Sequence, residues 1–324
     1  MADAALSYDR EAEDLGNIVG LEHVNLQVPD QQRATAFYII GLGLTRDPYM
    51  NTGLANMWVN VGKSQFHLPT GEPWVLRGAI GLVTPDRTAL LRRLDNVGKT
   101  LAGTQFEVRE TNDCVAVTCP WGNRFNMHSP NEDRFGAVSL GMPYLEFDVP
   151  MGTAKGIAKF YKKIFDARTC VEGKGTERVA RVCVGHNQEL RFRQRKGPQA
   201  DYDGHHIQVY VQNFSGPYRE LMKRDVLTEE SNAYQYRFEH IVDVDTNKTL
   251  FEIEHEVRSM THPLYARPLV NRNPMQSQQS YAMEGDEWNW HMRVSNPRLP
   301  VPEFTHARAQ ALKDRRAARM ARGM

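Results

Sequence analysis

The chain has 324 residues, 41% of them hydrophobic, and a formal net charge of +1. That length and apolar content suffice for a substantial core shared between two similar domains, and the near-neutral charge gives no reason to expect a nucleic-acid partner. No apolar run is long enough to span a bilayer, and the acidic opening "MADAALSYDREAEDLG" lacks the basic and apolar regions of a secretory signal, so no membrane partner and a cytoplasmic location are expected.

After an extension over 1–17, the first element is "HVNLQV", starting at His23. A strand sends alternate side chains to opposite faces, so Val24, Leu26 and Val28 share one face and His23, Asn25 and Gln27 the other. The next stretch, "VPDQQRATAFYIIGLGL", predicts a helix. Asp30 can cap it, Ala34, Phe37, Tyr38 and Leu42 recur at helical spacing, and Gly41 and Gly43 mark its end. Short strand-like runs follow in "ANMWVNVGKSQFHLP". The order then returns: "AIGLVTPD" alternates Ala79 and Gly81 with Ile80 and Leu82, before the weaker helix "TPDRTALLRRL" and the β-rich "CVAVTCPWGNRFNMHSP". In the third copy, "YLEFDVP" sets Tyr144, Glu146 and Asp148 against Leu145, Phe147 and Val149. Its helix carries Ile157, Phe160, Tyr161 and Phe165, and "RVARVCVGHNQELRFRQ" supplies the strands. The fourth copy sets His206, Gln208 and Tyr210 against Ile207, Val209 and Val211, followed by "VQNFSGPYRELMKR" and "RFEHIVDVDTNKTLFEIEHEV". The four cysteines have no metal-site spacing and do not suggest a disulfide framework.

Four copies of strand, helix and several antiparallel strands, each roughly 50 to 70 residues, signal repeated supersecondary units that cannot cover their sheets singly. Paired units can, with helices outside and the polar strand faces lining a concave interior. The stretch "GLEHVNLQVPDQQRATAFYIIGLGL" resembles the opening module of the vicinal oxygen chelate superfamily, which includes glyoxalase I, bleomycin resistance proteins and type I extradiol dioxygenases. Four modules in one chain resemble the extradiol dioxygenase arrangement, and the resemblance covers approximately residues 18–260. It implies an α+β fold in which tandem βαβββ modules pair into two cup-shaped half-barrels with helices outside. Modules 18–75 and 76–135 would make an N-terminal domain, and modules 136–200 and 201–260 a C-terminal one, each with its own cup.

In that superfamily the metal ligands come from the first and last strands of each module. Carried over by position, module one offers His23 and His67, and module two Ala79 and Asn126 with His128 two residues on. Module three offers Tyr144 with Arg191 or Glu189, and module four His206 and Glu252. The extradiol pattern implies histidines at positions 144 and 206 and a glutamate at 252. Tyrosine stands at 144 instead, and a phenol ligates only after losing a proton with a pKa of about 10. Strand parity leaves Glu146, or Glu189, to complete a set with His206 and Glu252. His23, His67 and His128 form the rival N-terminal cup, without a carboxylate at matching positions.

The implied cofactor is a divalent metal, Fe(II) foremost, with Mn, Zn or Ni as alternatives. Tyr144 and Tyr210 are expected to serve as ligand or acid, and Arg191 as an anchor for a substrate carboxylate. The implied function is a metal-dependent enzyme acting on a small aromatic or hydroxy-carbonyl substrate with adjacent oxygens, nearest to extradiol ring cleavage. The alternatives are a metal-free binding or sequestering protein and a glyoxalase-like isomerase or lyase. Edge strands that need covering suggest a homodimer. Residues 261–300, with His262, Tyr265, Tyr281, Trp288 and Trp290, read as an irregular wrap or lid, and 301–324 as a basic tail.

Overall fold

The computed structural model describes residues 9–50, 55–271 and 314. Module one comprises β1 (Ile18–Asn25), α1 (Gln31–Ala34) running on as a π-helical stretch (Thr35–Gly41), β2 (Thr45–Arg46), β3 (Asn56–Val61) and β4 (Ser64–Pro69). Module two comprises β5 (Gly78–Val83), α2 (Arg87–Gly98), β6 (Glu107–Glu110), β7 (Val115–Thr118) and β8 (Arg124–His128), followed by the short α3 (Glu132–Phe135). Module three holds β9 (Gly141–Pro150), α4 (Ala154–Phe165), β10 (Thr169–Glu172), β11 (Val179–Gly185) and β12 (Gln188–Arg195). Module four holds β13 (His206–Val211), α5 (Ser215–Lys223), β14 (Leu227–Asn232), β15 (Gln235–Val242) and β16 (Thr249–Ser259).

The helix starts follow from local chemistry. The Asp30 side chain accepts the N–H groups of Gln32 and Arg33, and the Asp86 side chain accepts that of Ala89, satisfying donors that a first helical turn leaves free. The apolar residues that define the helices in the sequence, Phe37 and Tyr38 in module one and Ile157, Phe160, Tyr161 and Phe165 in α4, are all buried.

The strands form two eight-stranded sheets, and neither is built from one half of the chain. The first runs β14-β15-β16-β13-β1-β4-β3-β2 and joins module four to module one. The second runs β10-β11-β12-β9-β5-β8-β7-β6 and joins module three to module two. The expectation of one cup per half is therefore corrected. The physical reason is that the apolar pattern requires the free edge of β1 to be paired but does not say by which first strand. Antiparallel pairing puts β1 beside β13 and β5 beside β9. Consecutive modules meet through their helical sides instead: the Phe37 ring lies 5.4 Å from Phe125, and Gly41 backs closely onto Val97 and Leu94 of α2.

One continuous apolar core runs through both sheets and the helices on their convex faces. Helix α4 touches β10, β11 and β12 of its own sheet and β15 and β16 of the other, with Phe160 and Phe165 at 5.9 and 5.6 Å from Phe238. The helices thus lie outside each cup, as expected, yet inside the molecule. Among the described residues no helix is long and apolar enough to cross a membrane.

Beyond β16 the chain folds over the rim of the first cup. Tyr265 packs 4.9 Å from Tyr210, the buried Arg267 pairs with the buried Asp47 at 2.7 Å, and Asn271 bonds Gly62. Residues 261–271 thus bring Tyr265 against the wall of this cup. Tyr281, Trp288, Trp290 and, apart from Asp314, the basic tail lie outside the described residues.

Candidate metal centre

The pairing of β1 with β13 puts two sets of histidines, which the sequence assigns to rival cups, into one. The concave face of the first sheet carries His23 and Asn25 from β1, Gln65 and His67 from β4, His206 and Gln208 from β13, and Glu254 and Glu256 from β16. His23 stacks on His67 at 3.7 Å between ring centroids, and His67 stacks on Trp58 at 3.6 Å. His206 meets His23 edge-on at 5.7 Å. One ligand atom from each of His23, His206 and Glu256 lies within 4.8 Å of the other two, and all three residues are buried.

The register of β16 on β13 moves the carboxylate. His206 pairs with Glu254 and Gln208 with Glu256, whereas Glu252 lies opposite His240 on β15. Glu252 is 40% exposed in its side chain and sits 3.6 Å from His240, in a separate group with Glu239. Glu256 Oε2 is 3.6 Å from His206 Nε2. The three glutamates share a strand face, so parity permits each of them, and only the register selects Glu256.

The electrostatics suit a cation ligand set. Burial lowers the pKa of His23, His67 and His206, which keeps the imidazoles neutral with a lone pair available. Burial pushes the Glu256 carboxyl up, but the charges of Arg258 and Arg237 outweigh it and hold Glu256 well below the usual carboxylate range. Arg258 Nη2 stands 2.5 Å from Glu256 Oε1, and Arg237 pairs with both Glu254 and Glu256. Among the described residues His23 Nε2 is buried without a hydrogen-bond partner, as are both side-chain polar atoms of Gln208. An orphaned imidazole nitrogen beside a second histidine and an ionised glutamate is the donor set a divalent metal fits.

Glu22 supplies the support behind His23. The β1–β13 register shifts between Leu21 and His23, a bulge that lets two successive residues turn toward the same interior. Glu22 Oε2 lies 3.3 Å from His23 Nδ1 and 3.0 Å from Arg258 Nη1, while Oε1 accepts the Tyr210 hydroxyl at 2.9 Å. Burial, and then the Glu22 charge, raise the Tyr210 pKa, so that the phenol stays a donor.

The remaining candidates occupy the second cup. Tyr144 accepts a hydrogen bond from Asn126 Nδ2 at 3.1 Å and stands 3.0 Å from His128 Nε2. The Arg191 guanidinium lies 3.7 Å over its ring. Glu146 is held by Arg193 through two bonds of 2.8 and 3.0 Å. Neither Tyr144 nor Glu146 shares a sheet with His206, so the expected set of Glu146, His206 and Glu252 is not assembled. His128 falls instead in a group with Asp113 and Cys114, whose carboxylate is already taken by Arg134. The four cysteines are free thiols; Cys114 and Cys119 are buried and Cys170 is exposed.

Paired βαβββ modules with polar concave faces are the vicinal oxygen chelate fold. The chain is similar in structure to a Bacillus subtilis protein provisionally assigned as a dioxygenase, at 13% identity over 76% of this chain and 86% of that one, with a TM-score of 0.50. It is also similar to glyoxalase I from Zea mays, at 11% identity over 74% of this chain and 92% of that one, with a TM-score of 0.51. No family model matches the chain, and no curated protein matches its sequence.

Proposed function

We propose that the protein is a metal-dependent enzyme of the vicinal oxygen chelate type, with His23, His206 and Glu256 as the metal ligands. The observation that carries this is the buried two-histidine, one-carboxylate group, in which His23 Nε2 has no hydrogen-bond partner among the described residues. Such a set suits Fe(II) with open positions for other ligands, which supports a ring-cleaving dioxygenase acting on a small substrate with two adjacent oxygens. What a divalent metal supplies when bound is Lewis acidity toward those oxygens, and iron adds dioxygen chemistry.

The protein's own groups do the rest. Glu22 orients His23, Arg258 ties Glu22 to Glu256, and the Tyr210 hydroxyl is held as a proton donor on the same wall. A cleft of about 680 Å³ lined by Glu22, Tyr210, Tyr265, Leu140 and Met142 reaches the supporting residues Glu22 and Tyr210.

The test is elemental mass spectrometry on protein purified without chelator, followed by oxygen uptake with a catechol. Near-stoichiometric iron in the wild type, lost in His23→Ala, His206→Ala and Glu256→Ala but kept in Glu252→Ala, is the expected result. Zinc, manganese or nickel in the same pattern would move the reading to isomerase or lyase chemistry. The two guanidinium groups flanking Glu256 favour a second reading, a metal-free cup that sequesters a small molecule. A wild type that cannot be loaded with any divalent metal would overturn the metal reading and leave this one.

A further inference from the structure

The second cup repeats the geometry of the first with different chemistry. His23 and His206 head the equivalent first strands of sheet one, and Glu256 pairs with the residue two beyond His206. In sheet two the matching first-strand positions are Ala79 and Tyr144, and the residue two beyond Tyr144, Glu146, pairs with Arg191. Arg191 therefore stands where the first cup has its carboxylate ligand, and Tyr144 where it has His206. Asn126, opposite Gly81, stands where His67 lies opposite Asn25. Where the first cup gathers donors around a cation, the second carries a cation of its own, 3.7 Å above the Tyr144 ring.

We propose that the second cup is a metal-independent binding site for a small organic carboxylate, held by the Arg191 guanidinium. A cavity of about 680 Å³ is lined by Arg191, Arg181, Arg134, Glu189 and Phe135. Glu189 Oε1 takes Nε and Nη2 of Arg191, and among the described residues Nη1 donates to none. The same carboxylate is shared with Arg181 at 2.7 Å, so the floor sets two guanidinium groups against one half-buried carboxylate. Glu172, the second partner of Arg181, and the acidic rim residues Glu132 and Asp133 are exposed, and water and salt screen them. A planar guanidinium fixed by one carboxylate and stacked on an aromatic ring is preorganised to take a second carboxylate from the open side.

The measurement is calorimetric titration of oxalate into full-length protein stripped of metal, which separates this site from any metal in the first cup. Binding is expected in wild type and unchanged in His206→Ala. It should weaken about tenfold or more in Arg191→Met, from the loss of a charge-assisted hydrogen bond. Arg191→Lys, which keeps the charge and loses the fork, serves as the folded control and should weaken binding as well. No binding to the stripped wild type, or binding that both Arg191 variants leave within about twofold, would overturn the proposal. Failure of metal loading in the first cup leaves this result untouched.

Discussion

Glu22 shows how a single side chain can matter without touching a substrate. A carboxylate on the far nitrogen of a metal-binding histidine fixes ring orientation and tautomer, and its loss weakens metal binding by about 10- to 100-fold. Glu22→Ala should therefore lower metal affinity by that factor in equilibrium dialysis, while Glu252→Ala leaves it unchanged. Gly81 gives a second case. A Cβ there would lie 2.2 Å from a ring carbon of Tyr144, so Gly81→Ala must displace that ring. The expected cost is about 1 to 3 kcal/mol in urea unfolding, as for other overpacked sites. At this scale strand parity puts His23 on one face of its strand and His206 and Tyr210 on one face of theirs, and the sheet pairing sets those faces side by side. The sequence did not mark Glu22, whose inward turn depends on a bulge that no residue type announces.

Among the elements, β16 and α4 show where pattern suffices and where it stops. Helix α4 is legible from Ile157, Phe160, Tyr161 and Phe165, since a helix buries one stripe whatever lies opposite. What lies opposite includes a buried polar contact: the Tyr161 hydroxyl is 2.6 Å from His255 Nε2 on β16. Burial lowers the His255 pKa from about 6.5 to about 4. Between those values the unfolded chain binds the proton and the folded one does not, so the stability this histidine contributes is present above pH 6.5 and lost as pH falls toward 4. The loss amounts to about 3 kcal/mol. Chemical denaturation across that window should show it, and His255→Phe should reduce the slope by this histidine's share, leaving that of His23, His67 and His206. The ligand position on β16 was less legible. Glu252, Glu254 and Glu256 obey one parity, and choosing among them requires the offset of β16 against β13, which is set by the length and path of the residues between them.

At the scale of the molecule, the cross-half pairing has a direct consequence. A fragment of residues 18–135 keeps modules one and two but loses both sheet partners, leaving β1 and β5 as unpaired apolar edges. It should aggregate or lack native circular dichroism, and mixing it with 136–271 should restore a folded species by size-exclusion chromatography. If 18–135 folds alone and stays monomeric, the two cups are less interdependent than their sheets suggest. Hydrophobic periodicity by itself determined the four modules, their helices and the inward row of polar residues, because each follows from local alternation of apolar and polar side chains. Only the tertiary structure decided which modules share a cup, that His23 and His206 stand together, and that Glu256 completes their set. Those choices rest on strand pairing between distant segments, where several partners satisfy the same local pattern and helix packing selects one.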